Sequence, residues 1–111
     1  MPDSERIAIR VGRLRRDHGI SVARPTPLGN PFPIASESDR AGAIERYRAE
    51  LPLILARSAP ARMQFARVVA AARTGDVTLL CWCAPKPCHA EVIATAVLAA
   101  LAAQSAPRSS C

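Results

Sequence analysis

Aromatic side chains are scarce in this chain of 111 residues: Trp82, Tyr47, Phe32 and Phe65 are the full set. Base stacking is therefore not expected as the main mode of binding, because stacking platforms need several exposed rings. Lysine is nearly missing as well, with Lys86 alone beside 14 arginines. No stretch approaches the ~20 apolar residues of a membrane span. Residues 1–10 are charged and carry no apolar run, which speaks against a secretory signal. Large aliphatic side chains are thin on the ground: 22 alanines stand against 25 Leu, Ile, Val and Phe together. One small core is all that this length and composition support, and a dimer is compatible with helices so rich in alanine. These absences point to a soluble, cytoplasmic protein with no membrane partner.

What is present is positive charge and sulfur. The formal net charge is +6, and the basic residues crowd toward the N-terminus at Arg6, Arg10, Arg13, Arg15, Arg16 and Arg24. Arginine forks match phosphate and carboxylate, so the cluster fits nucleic acid or a phosphorylated ligand, or else an ordinary solvated face. Three of the four cysteines, Cys81, Cys83 and Cys88, fall within eight residues. They sit too close together for a disulfide framework, and clustered thiols in a reducing compartment point to metal or chemistry. Cys111 ends a polar tail. His18, in R-R-D-H-G, reads as a solvated turn residue.

Periodicity divides the chain into a few elements. Ile7, Ile9 and Val11 alternate with Ala8 and Arg10, the pattern of a half-buried strand. Ile20–Ala23 is a second short extended piece. R-P-T-P-L-G-N-P-F-P, residues 24–33, has four prolines and can be neither helix nor central strand. Gly29 within it is expected to take a backbone angle that other residues avoid. Ser36, Ser38 and Asp39 are candidate caps of a helix that buries Ile44, Tyr47 and Leu51, with a break expected near Leu51 because Pro52 follows. Ser58-Ala-Pro60 starts a further helix with a stripe of Phe65, Val68, Val69 and Ala72. Gly75 is expected to end it as a left-handed cap. V-T-L-L-C-W, residues 77–82, reads as a buried strand. Residues 88–103 read as a helix with one broad apolar face, and residues 104–111 as a disordered tail. Strands separated by helices give an α/β fold: residues 1–103 as a small single-domain layered structure, its short, partly parallel sheet covered by helices.

The segment L-L-C-W-C-A-P-K-P-C-H-A-E, residues 79–91, carries the chemistry. It runs from strand through tight loop to helix start, the place where α/β sheets put ligands and where free N–H groups favour anions. Strand alternation puts Cys81 and Cys83 on one side and Trp82 on the other if the strand extends that far. Cys88 and His89 sit at the helix start, and neighbours on a helix do not face each other. A pairing of His89 with Cys81 or Cys83 across the loop is therefore favoured over a Cys88–His89 dyad. Three readings stand. Cys81, Cys83, Cys88 and His89 bind zinc, although C-x-C-x4-C-H is not the usual pair of C-x2-C knuckles. Alternatively, a thiolate of Cys83 or Cys88 works with His89, beside Glu91, as nucleophile or acid/base over a bound phosphate or sugar. In the third reading the cysteines are small core residues and Glu91 caps the Cys88 backbone.

Two blocks together, R-P-T-P-L-G-N-P-F-P and C-W-C-A-P-K-P-C-H-A-E, resemble the hallmark blocks of domain-of-unknown-function family 4326, small proteins of bacteria and phages. A-I-E-R-Y-R-A-E-L, residues 43–51, is similar to that family's middle segment. Two mild departures are Ala23-Arg24-Pro25-Thr26 where members often have Gly-Arg-Pro-Ser, and Ala90-Glu91 where they often have Gly-Asp. The resemblance implies a fold and a shared site, not a reaction. It agrees with a cleft faced by both blocks, in which Arg24 clamps a phosphate or carboxylate, Asn30 and Gly29 shape the ligand's surroundings and Lys86 adds charge. The expected function is binding of an anionic, nucleotide-like ligand at the Cys/His helix start, with or without catalysis. A zinc-binding structural module and a basic nucleic-acid adaptor are the alternatives.

Overall fold

Val77–Cys81 is apolar at almost every position, and all but Thr78 are buried. A strand covered on both faces belongs in the middle of a parallel sheet, and in the computed structural model this strand (β3) lies there. β1 (Ile9–Arg13) and β2 (Ile20–Ser21) flank it in the order β1-β3-β2, and both pairings are parallel. The structure describes residues 8–32, 36–83, 86 and 88–105. Ile7, Arg6 and the tail from residue 106 fall outside them. Among the described residues no helix is long and apolar enough to cross a membrane.

Parallel neighbours need a long crossover, and here α1 (Arg40–Arg57) and α2 (Ala59–Thr74) supply it between β2 and β3. α3 (His89–Ser105) follows β3 and packs on α1, α2 and the sheet. The architecture is α/β, as the alternation of strand and helix patterns led one to expect. A short 3-10 turn, Glu37–Asp39, leads into α1, and the Ser36 hydroxyl donates to the Asp39 carboxylate at 3.3 Å. Ser58 caps α2 by accepting from the Ala61 amide at 3.2 Å. Ile44, Tyr47 and Leu51 of α1 and Val68, Val69 and Ala72 of α2 are buried; Phe65 is half-buried.

Four local expectations need correction. α1 runs through Pro52 without a break. Pro52 is exposed, so the carbonyl that loses its donor there can turn to water. Gly75 lies in extended backbone, φ 162° and ψ −168°, and is not a left-handed cap. Gly29 does not adopt the left-handed region either. Glycine is required there by proximity: a Cβ would stand 2.9 Å from the Arg24 backbone nitrogen and Cα. α3 also extends two residues past the end read from the pattern.

The proline segment is pinned rather than loose. Thr26 and Gly29 amides donate to the Ala23 and Thr26 carbonyls, each at 2.9 Å, forming consecutive turns. The Arg24–Pro25 peptide is cis. Buried Gln64 on α2 accepts from the Leu28 amide (2.8 Å) and donates to the Ser21 carbonyl (2.9 Å), tying the segment to the helical layer. Tyr47, fully buried, donates to the Leu28 carbonyl at 2.8 Å. The segment is thereby held over the C-terminal end of β3.

Candidate functional site

The site grows from the point where β3 stops. Cys81 is its last residue, and its carbonyl accepts from the Leu14 amide at 3.1 Å. Beyond it the strand geometry ends, so alternation no longer governs Trp82 and Cys83. Both line the same cleft as Cys81; the sorting of Trp82 away from the cysteines required a strand that reached residue 83, and β3 does not. α3 begins at His89, with Cys88 just before its first residue.

His89 is buried and doubly held. Its Nε2 lies 2.7 Å from the Val22 carbonyl oxygen, and its Nδ1 lies 3.9 Å from Cys81 Sγ. A carbonyl can only accept, so Nε2 carries a proton. In the neutral ring Nδ1 then presents its lone pair on the side of Cys81. The edge of Tyr47 packs against the imidazole, with centroids 5.1 Å apart and planes at 76°. The ring is thus fixed by a bond to the residue that follows β2, far away in sequence, and by an aromatic neighbour from α1.

Cys81, Cys88 and His89 form one cluster. Their donor atoms all lie within 4.8 Å of one another, and all three residues are buried. The Cys88 thiol, the His89 ring in its doubly protonated form and the Cys83 backbone amide stabilise a thiolate at Cys81 and hold it well below the usual thiol range despite burial. The neutral ring, with its Nδ1 lone pair toward the sulfur, is the form that suits a cation between them. Cys88 is pushed up, first by its bond to Cys81 and then by burial. One proton is therefore shared between two sulfurs, with the negative charge on the strand side. Soft thiolates beside an imidazole lone pair are a donor set that could hold a metal ion.

A cleft of about 210 Å³ opens above this cluster. Ala23, Arg24, Asn30 and Phe32 of the proline segment form one wall, and the residues around β3 and the start of α3 form the other. The two sequence blocks therefore meet in space. Arg24 is exposed, and no described residue forms an ion pair with it. Asn30 is buried, and its Oδ1 accepts from the Phe32 amide at 2.8 Å. That bond leaves Nδ2 as the donor the residue has to offer.

Other candidates lie elsewhere. Cys83 lines the cleft but is not among the three clustered donors, Cys81, Cys88 and His89. Its neighbour is the Arg40 guanidinium, whose main partner is Glu37 at 2.8 Å. Lys86 does not face the cleft; it pairs with Glu37 at 3.0 Å. Glu91 is exposed and off the cleft, and it is joined to Cys88 by its amide donating to the Cys88 carbonyl at 3.1 Å. Gly29 shapes the Arg24 backbone and is not part of the cleft wall. Of the N-terminal arginines, Arg10 and Arg16 pair with Asp76 and Asp17. Arg13 donates to the Trp82 carbonyl at 3.0 Å. His18 is exposed, as expected.

Arg40, Tyr47, Phe32 and Trp82 belong to the site's surroundings without having been singled out as such. The i,i+3 spacing of Glu37 and Arg40 announces their ion pair. Nothing local announces that Arg40 reaches Cys83. With this geometry established, a family model described as "Domain of unknown function (DUF4326)" matches residues 7–99. The chain belongs to the DUF4326 family. The match takes in every residue of the Cys81–Cys88–His89 cluster and of the cleft wall. No curated protein and no solved structure matched the chain.

Proposed function

We propose that this DUF4326 chain binds a zinc-class divalent ion through Cys81, Cys88 and His89 and takes an anionic small ligand in the cleft above it. One observation carries the reading. The Val22 carbonyl claims the Nε2 proton of a buried histidine, so that Nδ1 is left as a lone-pair donor beside two clustered sulfurs. A ligating histidine characteristically gives its second ring N–H to a carbonyl or carboxylate, which fixes tautomer and orientation. Two cysteines and one histidine are also a ligand set used by zinc sites that keep a fourth position open. Cys83, a neighbour of Arg40, is not one of the three clustered donors, so three protein ligands would hold the ion.

The anionic part of the reading is supported by the wall of the cleft, which among the described residues has Arg24 and no acidic residue. Unpaired guanidinium near a Lewis-acidic ion favours phosphate or carboxylate. The nucleic-acid reading draws less support, because the charges of Arg10 and Arg16 are spent on neighbouring aspartates. A metal-free reading, with a Cys81 thiolate as nucleophile beside His89, uses the same geometry.

Elemental analysis separates the two. Protein purified without a metal-affinity tag, under reductant, should contain close to one zinc-class ion per chain. Cys81→Ser and Cys88→Ser should each lower retention at least about tenfold against a chelating dye, with far-UV circular dichroism confirming the fold. A protein that neither carries nor takes up Zn2+ would overturn the metal reading.

A further inference from the structure

Two of the chain's four aromatic side chains, Trp82 and Phe32, stand at this one cleft. Trp82 is 46% exposed, an unfavourable position for so large an apolar ring unless something covers it. Each ring is held by a cation. The Arg15 guanidinium lies 5.6 Å from the Trp82 centroid and that of Arg46 lies 4.4 Å from the Phe32 centroid. Rings braced in this way lose little freedom when a flat ligand stacks on them. The enclosed volume, about 210 Å³, is below that of an ordinary small-molecule pocket and suits one compact group such as a sugar phosphate. Anything larger must leave part of itself at the mouth, against the exposed indole.

From this juxtaposition we propose that the ligand is a nucleoside phosphate, its phosphate end inside the cleft with Arg24 and its base stacked on Trp82. The inference rests on the reading that the cleft takes an anionic ligand, and adds to it a ring-recognition residue. A free nucleotide is favoured over a nucleic-acid strand, because the cleft ends on a buried floor of Cys81, Cys88 and His89.

Trp82 is the chain's sole tryptophan, so its fluorescence reports directly on the site. The full-length, metal-analysed protein is titrated with the four ribonucleoside 5′-monophosphates, ribose 5-phosphate and inorganic phosphate, by fluorescence and by calorimetry. At least one nucleotide should change the emission saturably and bind roughly fivefold or more tighter than ribose 5-phosphate. Trp82→Ala, read by calorimetry, should abolish that advantage while leaving ribose 5-phosphate binding within about twofold. Arg24→Ala should weaken both ligands. Equal binding of ribose 5-phosphate and every nucleotide overturns the role of Trp82 but leaves the anionic reading standing. Absence of binding by every phosphate compound in zinc-loaded protein overturns both. An oligonucleotide that binds at least about tenfold tighter than any mononucleotide overturns the proposal in favour of a nucleic-acid strand.

Discussion

At the scale of single residues, three buried polar side chains organise the cleft: Asn30, Gln64 and His89. A buried polar group is tolerated only with its partners in place; Asn30 accepts from the nearby Phe32 amide, while Gln64 and His89 bond backbone from distant segments. Gln64 is the instructive case. It satisfies the Leu28 amide and the Ser21 carbonyl at once, so it fastens the proline segment to α2. Gln64→Leu keeps the volume but orphans both groups. The variant should lose at least about 1–3 kcal/mol of stability, read as a lower urea midpoint at unchanged slope. It should also weaken ligand binding at the cleft, since the wall bearing Arg24 loses its tether. Unchanged stability would mean that water replaces both bonds.

At the scale of elements, α1 shows tertiary packing overriding a local breaker. Pro52 sits on the exposed side, while its neighbour Leu51 and, a turn earlier, Tyr47 are buried. The buried face therefore holds the helix together across the residue that weakens it. Proline in a helix interior costs about 3 kcal/mol relative to alanine. Because Pro52 contributes little to the core, Pro52→Ala should raise stability by about 1–3 kcal/mol, visible as a higher thermal midpoint. A lower midpoint would show that the proline shapes α1 for its packing on α3. β3 and α3 stand in a different relation. Neither buries its apolar surface alone, and the turn between them brings Cys81, Cys88 and His89 together, as expected for a ligand site at the carboxyl end of a sheet strand.

At the scale of the whole molecule, charge distribution sets the response to acid. Glu37 bonds Arg40 and Lys86 together, and these two cations, Arg40 first, lower its carboxyl from an ordinary value of 4.5 to about 2. The native state therefore binds the proton less readily than the unfolded chain. Its stabilisation is fully present above about pH 4.5 and drains away as pH falls toward 2. Asp76, bonded to the Ala8 amide and to Arg10, and Asp17, bonded to the Arg13 amide and to Arg16, are lowered in the same direction. Glu37→Gln should be less stable than the parent at neutral pH, and the gap should close between pH 4.5 and 2. Added salt should shrink it as well, because these groups face solvent. A gap that is constant with pH would mean that the carboxylate contributes through its shape alone.

Much of this was legible in the chain itself. Period-2 and period-3.6 patterns located β1, β3 and the three helices, and Ser58-Ala-Pro60 announced the start of α2 through its own chemistry. The proline-rich and cysteine-rich blocks are each recognisable locally, as a stiff segment and a helix N-terminus; that they line one cleft was an expectation, and it is the tertiary structure that brings them together. What the chain could not declare is how His89 is wired. Its Nε2 partner is the Val22 carbonyl, 67 residues away, and that bond decides which nitrogen faces the sulfurs. The separation of Cys83 from Cys81 and Cys88, and the placing of Trp82 at the cleft, are decided in the same way. β3 stops one residue before the alternation rule would have sorted those side chains. Local residues determine their own backbone preferences and charges. Which lone pair meets which sulfur depends on segments that touch only when the sheet and helices have closed around them.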